Sequence, residues 1–142
     1  MSGYRASVEL VDDGGTGEAG PVVVEFRGPR TTRLQRFTLD EFTGAHLLHL
    51  AVAGCVYNDL LRDAAARGIA LSHVSVTADG DFSGEPFEST GIGYRISIRG
   101  DASQEELTAL VDHVVSIAEI PSALRAGAEV RLVAAEIASA DG

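Results

Sequence analysis

The chain has 142 residues, of which 45% are hydrophobic and 23% charged, enough to build a core within one domain, residues 1–142. A net charge of −10 argues against nucleic acid and anionic membrane surfaces as partners, because both would be repelled. One cysteine, Cys55, excludes an intrachain disulfide and any paired-cysteine zinc site.

In chain order, Arg5–Val11 roughly alternates apolar and polar side chains, the period of a half-buried strand. Asp12–Gly20, rich in glycine and acid, is predicted to be a mobile hairpin connection leading to a second strand over Val22–Phe26. Its Gly14-Gly15-Thr16-Gly17 run lacks the Lys-Ser/Thr ending of a phosphate loop and has acidic neighbours. Gly28-Pro29 turns the chain into a third strand over Thr31–Phe37. From Phe42 to Arg67 alanine and leucine dominate, predicting a long helix, open to a bend at Gly54 and stopped by Gly68. Val74–Ala78 and Gly93–Ile98 read as two strands split by a polar loop holding Pro86 and Phe87. Ser103 with Glu106 forms a capping box that opens a helix over Gln104–Ala118, which Pro121 ends. A turn through Ala123–Arg125 and Gly127 leads to a last strand, Glu129–Ile137. Strands and helices come in blocks, which favours α+β over a doubly wound sheet.

The first half of the long helix is apolar nearly all round, which predicts burial on every side. One sheet covers only one side of a helix, so a second subunit is expected to cover the other, making a homodimer with a large apolar interface. No apolar run reaches the roughly 18 residues of a membrane span, and Met1–Glu9 lacks the basic start and apolar stretch of a signal peptide. The expectation is a cytoplasmic protein with a reduced thiol, without cofactor or metal.

Cys55 lies inside the most apolar stretch of the chain, Leu47–Val56. A free cysteine is either packing or a nucleophile, and nucleophilicity requires a neighbour that stabilises the thiolate. On an ideal helix Asn58, Asp59 and Arg62 share its face. Asp59, one turn away, opposes a thiolate, although Asp59 and Arg62 can pair with each other. A mid-helix sulfur gains nothing from its own helix N-terminus, so the cation must come from elsewhere, with Arg36 the best candidate. His46 and His49 are neighbours at a spacing of three, but His46 falls on the face opposite Cys55 and His49 about a third of a turn round. On the second helix His113 stands near Asp112 and Glu119.

These residues resemble the OsmC/Ohr superfamily, most closely its broad OsmC-like branch. The resemblance is carried by Leu47-Leu48 through Gly54-Cys55, Asp59 in Cys-x-x-x-Asp, Pro86-Phe87, Arg99-Gly100, and Leu124 with Gly127. It spans about residues 34–137. It implies antiparallel sheets around a long central helix, an intertwined homodimer, and an active site at the subunit interface. It further implies a peroxidase in which one cysteine attacks a hydroperoxide and a second resolves the sulfenate, with an Arg and a Glu activating the first. The chain departs from that pattern. Ala118 holds the place of the resolving cysteine. Thr43-Gly44-Ala45 replaces Asn-Pro-Glu, the alternative Glu of the branch falls on His46, and Ala53 replaces the first glycine of its pair. Glu119, beside Ala118, is the residue that could restore a carboxylate.

Two readings follow. In one, Cys55 attacks a lipophilic electrophile such as an organic hydroperoxide, aided by Arg36 and Glu119. Leu47, His49, Leu50, Val52, Asp59 and Ile120 surround the substrate, and an external thiol is the reductant. In the other, the family member is not a peroxidase, and the interface pocket binds or transforms a hydrophobic small molecule.

Overall fold

The computed structural model describes residues 3–11, 21–31 and 33–139. The predicted connection at residues 12–20 lies outside the described residues. The fold is mixed α+β: three strands, a long helix, a two-stranded hairpin and two further helices. The chain divides into two compact units, residues up to His49 and residues from Leu50 onward. Among the described residues no single helix is long and apolar enough to cross a membrane.

The first unit contains β1 (Arg5–Leu10), β2 (Val22–Arg27) and β3 (Gln35–Leu39), antiparallel in the order β1-β2-β3. Val8 faces Val24, and Val24 faces Phe37, so apolar side chains align on one face of the sheet. Val24 is buried there, and Phe26 meets Phe37 edge to face with ring centroids 5.3 Å apart. The third strand starts at Gln35 rather than at Thr31. Thr31 is tied into the preceding turn: its amide donates to the Gly28 carbonyl at 3.1 Å and its hydroxyl to the same oxygen at 3.0 Å. That local bonding competes with a ladder and delays the strand.

The long helix α1 runs from Gly44 to Ala66. Thr43 caps it, accepting the His46 amide on its hydroxyl at 3.2 Å. Gly68 ends it at φ +69°, where the Ile69 amide reaches the Ala64 carbonyl at 2.9 Å and the Gly68 amide reaches Ala65 at 3.1 Å. This is a Schellman closure, and Ile69 buries its side chain in the core shared with Ala64.

In the second unit β4 (Leu71–Ser83) and β5 (Glu88–Gly100) form a hairpin longer than predicted. Val74 pairs with Ile98, Val76 with Ile96, and Ala78 with Tyr94. The valines, isoleucines and Tyr94 pack on a core made by Val56, Leu60 and Ala64 of α1 with Leu110, Val114 and Ala118. Gly100 is required by close approach: a Cβ there would lie 2.9 Å from Leu71 Cδ2 and 3.0 Å from the Ala70 carbonyl. Helix α2 spans Gln104–Ile117, and the Glu106 amide donates to Ser103 Oγ at 3.1 Å, as the capping box predicts.

Two sequence expectations need correction. Pro121 does not mark a stop. The chain breaks at Ala118, and Pro121 sits in the first turn of a helix α3, Glu119–Ala126. A proline cannot follow an unbroken helix because its ring meets the carbonyl four residues back; it is accommodated where first-turn amides are unpaired anyway. The predicted last strand, Glu129–Ile137, is neither strand nor helix, because no described strand pairs with it. Leu50, in the first half of α1, is 62% exposed, so this chain alone does not bury that half on every side, as the expectation of a covering second subunit requires. Burial is deepest in the second half, where Val56 and Leu60 meet the hairpin and α2.

Candidate functional site

Cys55 lies in the middle of α1, partly buried and packed against the core of the second unit. Its sulfur accepts a hydrogen bond from the backbone amide of Ile120 at 3.5 Å. The origin of this donor is local. Ala118 adopts φ −58°, ψ 121°, which breaks the helical path and starts α3 anew. The first amides of a helix have no partner inside it, and the first helical bond of α3 runs from Ser122 to the Ala118 carbonyl at 3.2 Å. Pro121 has no amide. The Ile120 amide is therefore left to point outward, and the sulfur of Cys55 takes it up.

Asp59 is the one buried charged residue among the described ones, at 4% exposure. Its carboxylate is ion-paired with Arg62, three residues on, whose side chain is 55% exposed. The pair satisfies the buried charge and reduces the negative field one turn from Cys55. One turn further, Asp63 accepts from Arg67 at 3.0 Å and lies 3.9 Å from His113 Nε2 of α2. His113 thus faces Asp63 rather than belonging to a group with Asp112 and Glu119.

Of the residues picked out in the sequence, Cys55, Ile120 and Glu119 come together, with Glu119 the first residue of α3. A carboxylate there complements the positive end of the helix. Leu50 is largely exposed, Ile120 is 36% exposed, and Val52 is buried at 3%. Leu47 and His49 are partly buried, and His49 Nδ1 donates to the Ala45 carbonyl at 2.6 Å, which fixes its tautomer. Arg36 belongs to β3 of the first unit, where its guanidinium lies 3.5 Å from Glu25. The donor to the sulfur is a backbone group. Sequence inspection named Ile120 only for its side chain. The available signal was Pro121, whose place in a helical first turn implies outward-facing amides just before it.

The family model described as OsmC-like protein matches residues 38–133 of the chain. No curated protein matches. Solved structures with the same fold include an OsmC-like protein from Mycoplasma pneumoniae, at TM-score 0.63 and 18% identity, covering 87% of this chain and 88% of that one. An organic hydroperoxide resistance protein from Legionella pneumophila gives TM-score 0.55 and 18% identity, with 88% and 90% covered. An OsmC-like protein of Vibrio cholerae gives 0.54 and 10%, with 87% and 94% covered.

Proposed function

The chain belongs to the OsmC-like protein family, and from that premise we propose that it is a thiol-dependent hydroperoxide reductase acting through Cys55. The observation that carries the reading is the Ile120 amide on the Cys55 sulfur. A partly buried thiol that served only as packing would need no donor. A thiolate, and the sulfenate that follows it, are stabilised by an N–H at the positive end of a helix. The similarity to a Legionella pneumophila protein described as an organic hydroperoxide resistance protein supports the substrate class.

In the proposed reaction the thiolate attacks the terminal oxygen of an organic hydroperoxide. The O–O bond breaks, the alkoxide takes a proton and leaves as the alcohol, and Cys55 becomes a sulfenic acid. With alanine at position 118 no internal thiol closes a disulfide. An external thiol attacks the sulfenic sulfur, releasing water and forming a mixed disulfide. A second external thiol then frees Cys55 and leaves as the external disulfide. Leu50 and Ile120, both exposed, supply apolar contact for a lipophilic substrate.

The working form is a homodimer. Its support is the apolar surface that one copy leaves uncovered: Leu50, Tyr57 and Leu61 on α1, and Val130, Leu132, Val133 and Ile137 near the C-terminus.

Cumene hydroperoxide and dithiothreitol are incubated with the protein and peroxide loss is followed, with mass spectrometry of Cys55. Peroxide is expected to be consumed catalytically and the cysteine to be oxidised; Cys55→Ser is expected to fold and dimerise but to abolish turnover. Ile120→Pro removes the amide donor and is expected to slow turnover at least tenfold, whereas Ile120→Val retains it. An inert Cys55 with no peroxide loss would overturn the enzyme reading in favour of a non-catalytic binder.

A further inference from the structure

The sheet of the first unit bears a group of charged and polar side chains on one face. Arg5 and Arg27 face each other directly across the β1–β2 ladder, and Ser7 and Glu25 form the pair two residues along on the same face. Like charges placed directly opposite on a sheet repel each other and reduce stability. The Glu25 carboxylate offsets this repulsion only in part, because it is shared with Arg36, 3.5 Å away. Among the described residues neither Arg5 nor Arg27 has an ion-pair partner. These four residues, with Phe26 and Leu34, line a cavity of about 250 Å³.

We infer that this cavity binds the oxyanion of a small soluble acid, a phosphate or carboxylate group, between the guanidinium groups of Arg5 and Arg27. A guanidinium presents a planar fork of donors that matches two oxygens of such a group, and the Ser7 hydroxyl adds a further donor. One anion neutralises both arginines and removes the repulsion between the strands. The volume is enough for an oxyanion with a short substituent. The chain's net charge of −10 repels polyanions and anionic membranes while leaving a small anion able to reach a local positive site. The site does not use Cys55, so the Cys55→Ser protein is expected to bind equally well.

The full chain, labelled with nitrogen-15, is titrated with inorganic phosphate and separately with acetate, at ionic strength held constant with sodium chloride. Saturable amide shifts confined to residues 5–7 and 25–27, with either anion, are expected. Arg5→Gln and Arg27→Gln are each expected to weaken binding at least tenfold and to raise the Tm of the anion-free protein, since each removes the opposed charge. Should either variant fail to fold, Ser7→Ala is expected to weaken binding severalfold with the sheet intact. Absence of saturable shifts with both anions, or affinity unchanged in the variants, overturns the site. Phosphatidylglycerol vesicles are expected to leave the protein in the supernatant. Co-sedimentation that depends on Arg5, without phosphate binding, would overturn the assignment to a soluble ligand.

Discussion

The second unit holds two sets of aliphatic side chains in opposite environments. Val56 and Leu60 of α1 and Leu110 and Val114 of α2 are each 0% exposed. Val130, Leu132, Val133 and Ile137 are 94%, 82%, 85% and 92% exposed. Both sets are branched aliphatics, so the difference lies in what each segment has beside it. The first set has a hairpin and a neighbouring helix within the chain. The second lies on a segment with no ladder partner among the described strands. Burying one such side chain is worth about 1.5–3 kcal/mol, so four left in water make a strong drive toward association. Were the segment extended, residues 130 and 132 would share one face and 133 and 137 the other. A strand apolar on both faces is one that is covered on both.

Truncation after Gly127 tests this contrast most severely. By light scattering the full chain is expected to be dimeric and the shortened protein wholly monomeric at the same concentration. A truncated protein that remained a dimer would remove the C-terminal segment from the interface. Leu60→Ala and Leu110→Ala come next, each expected to cost about 2–5 kcal/mol by urea denaturation, because a fully packed aliphatic leaves a cavity. Leu132→Ala sharpens the comparison. Its cost should be small in dilute, dissociated protein and should grow with protein concentration, whereas the cost of Leu60→Ala should be present at every concentration.

Arg62→Ala is expected to have a smaller effect on stability, about 1–3 kcal/mol, because it strands the buried Asp59 carboxylate. Asp59→Asn in the same background should recover part of the loss. The single variant should also slow alkylation of Cys55 by iodoacetamide, since an uncompensated carboxylate one turn away opposes the thiolate. An alkylation rate that did not change would separate Asp59 from the chemistry and leave it a structural role.

Local chemistry explains which of these features could be read from residues. The stop of α1 at Gly68 and the cap of α2 at Ser103 depend on two or three neighbouring residues, and both stand where the pattern places them. The start of β3 did not follow from composition, because Thr31 satisfies its hydrogen bonds within the turn at Gly28. Helix α3 was hidden by Pro121, which reads as a terminator but sits in a first turn. Residues 129–137 have the composition of a strand, yet a strand also needs an edge to pair with, and composition does not record one. At the candidate site the sulfur was legible and its donor was not, since an amide belongs to every residue and only the break at Ala118 aims this one.

Ser103→Ala provides the smallest effect and a reference for the others. Ser103 Oγ accepts the Glu106 amide and also donates to Glu106 Oε1 at 3.1 Å. Removing the hydroxyl leaves a first-turn amide to solvent, and the loss is expected to be about 1 kcal/mol. Both partners lie three residues apart at the exposed start of α2, so the interaction is complete within one chain. Its cost should therefore be independent of protein concentration and of the C-terminal truncation, and equal in the monomer and the dimer. A concentration-dependent cost at Ser103 would mean that α2 is itself held by association. The proposed division between a self-contained helical core and a segment completed by association would then fail at its supposedly independent end.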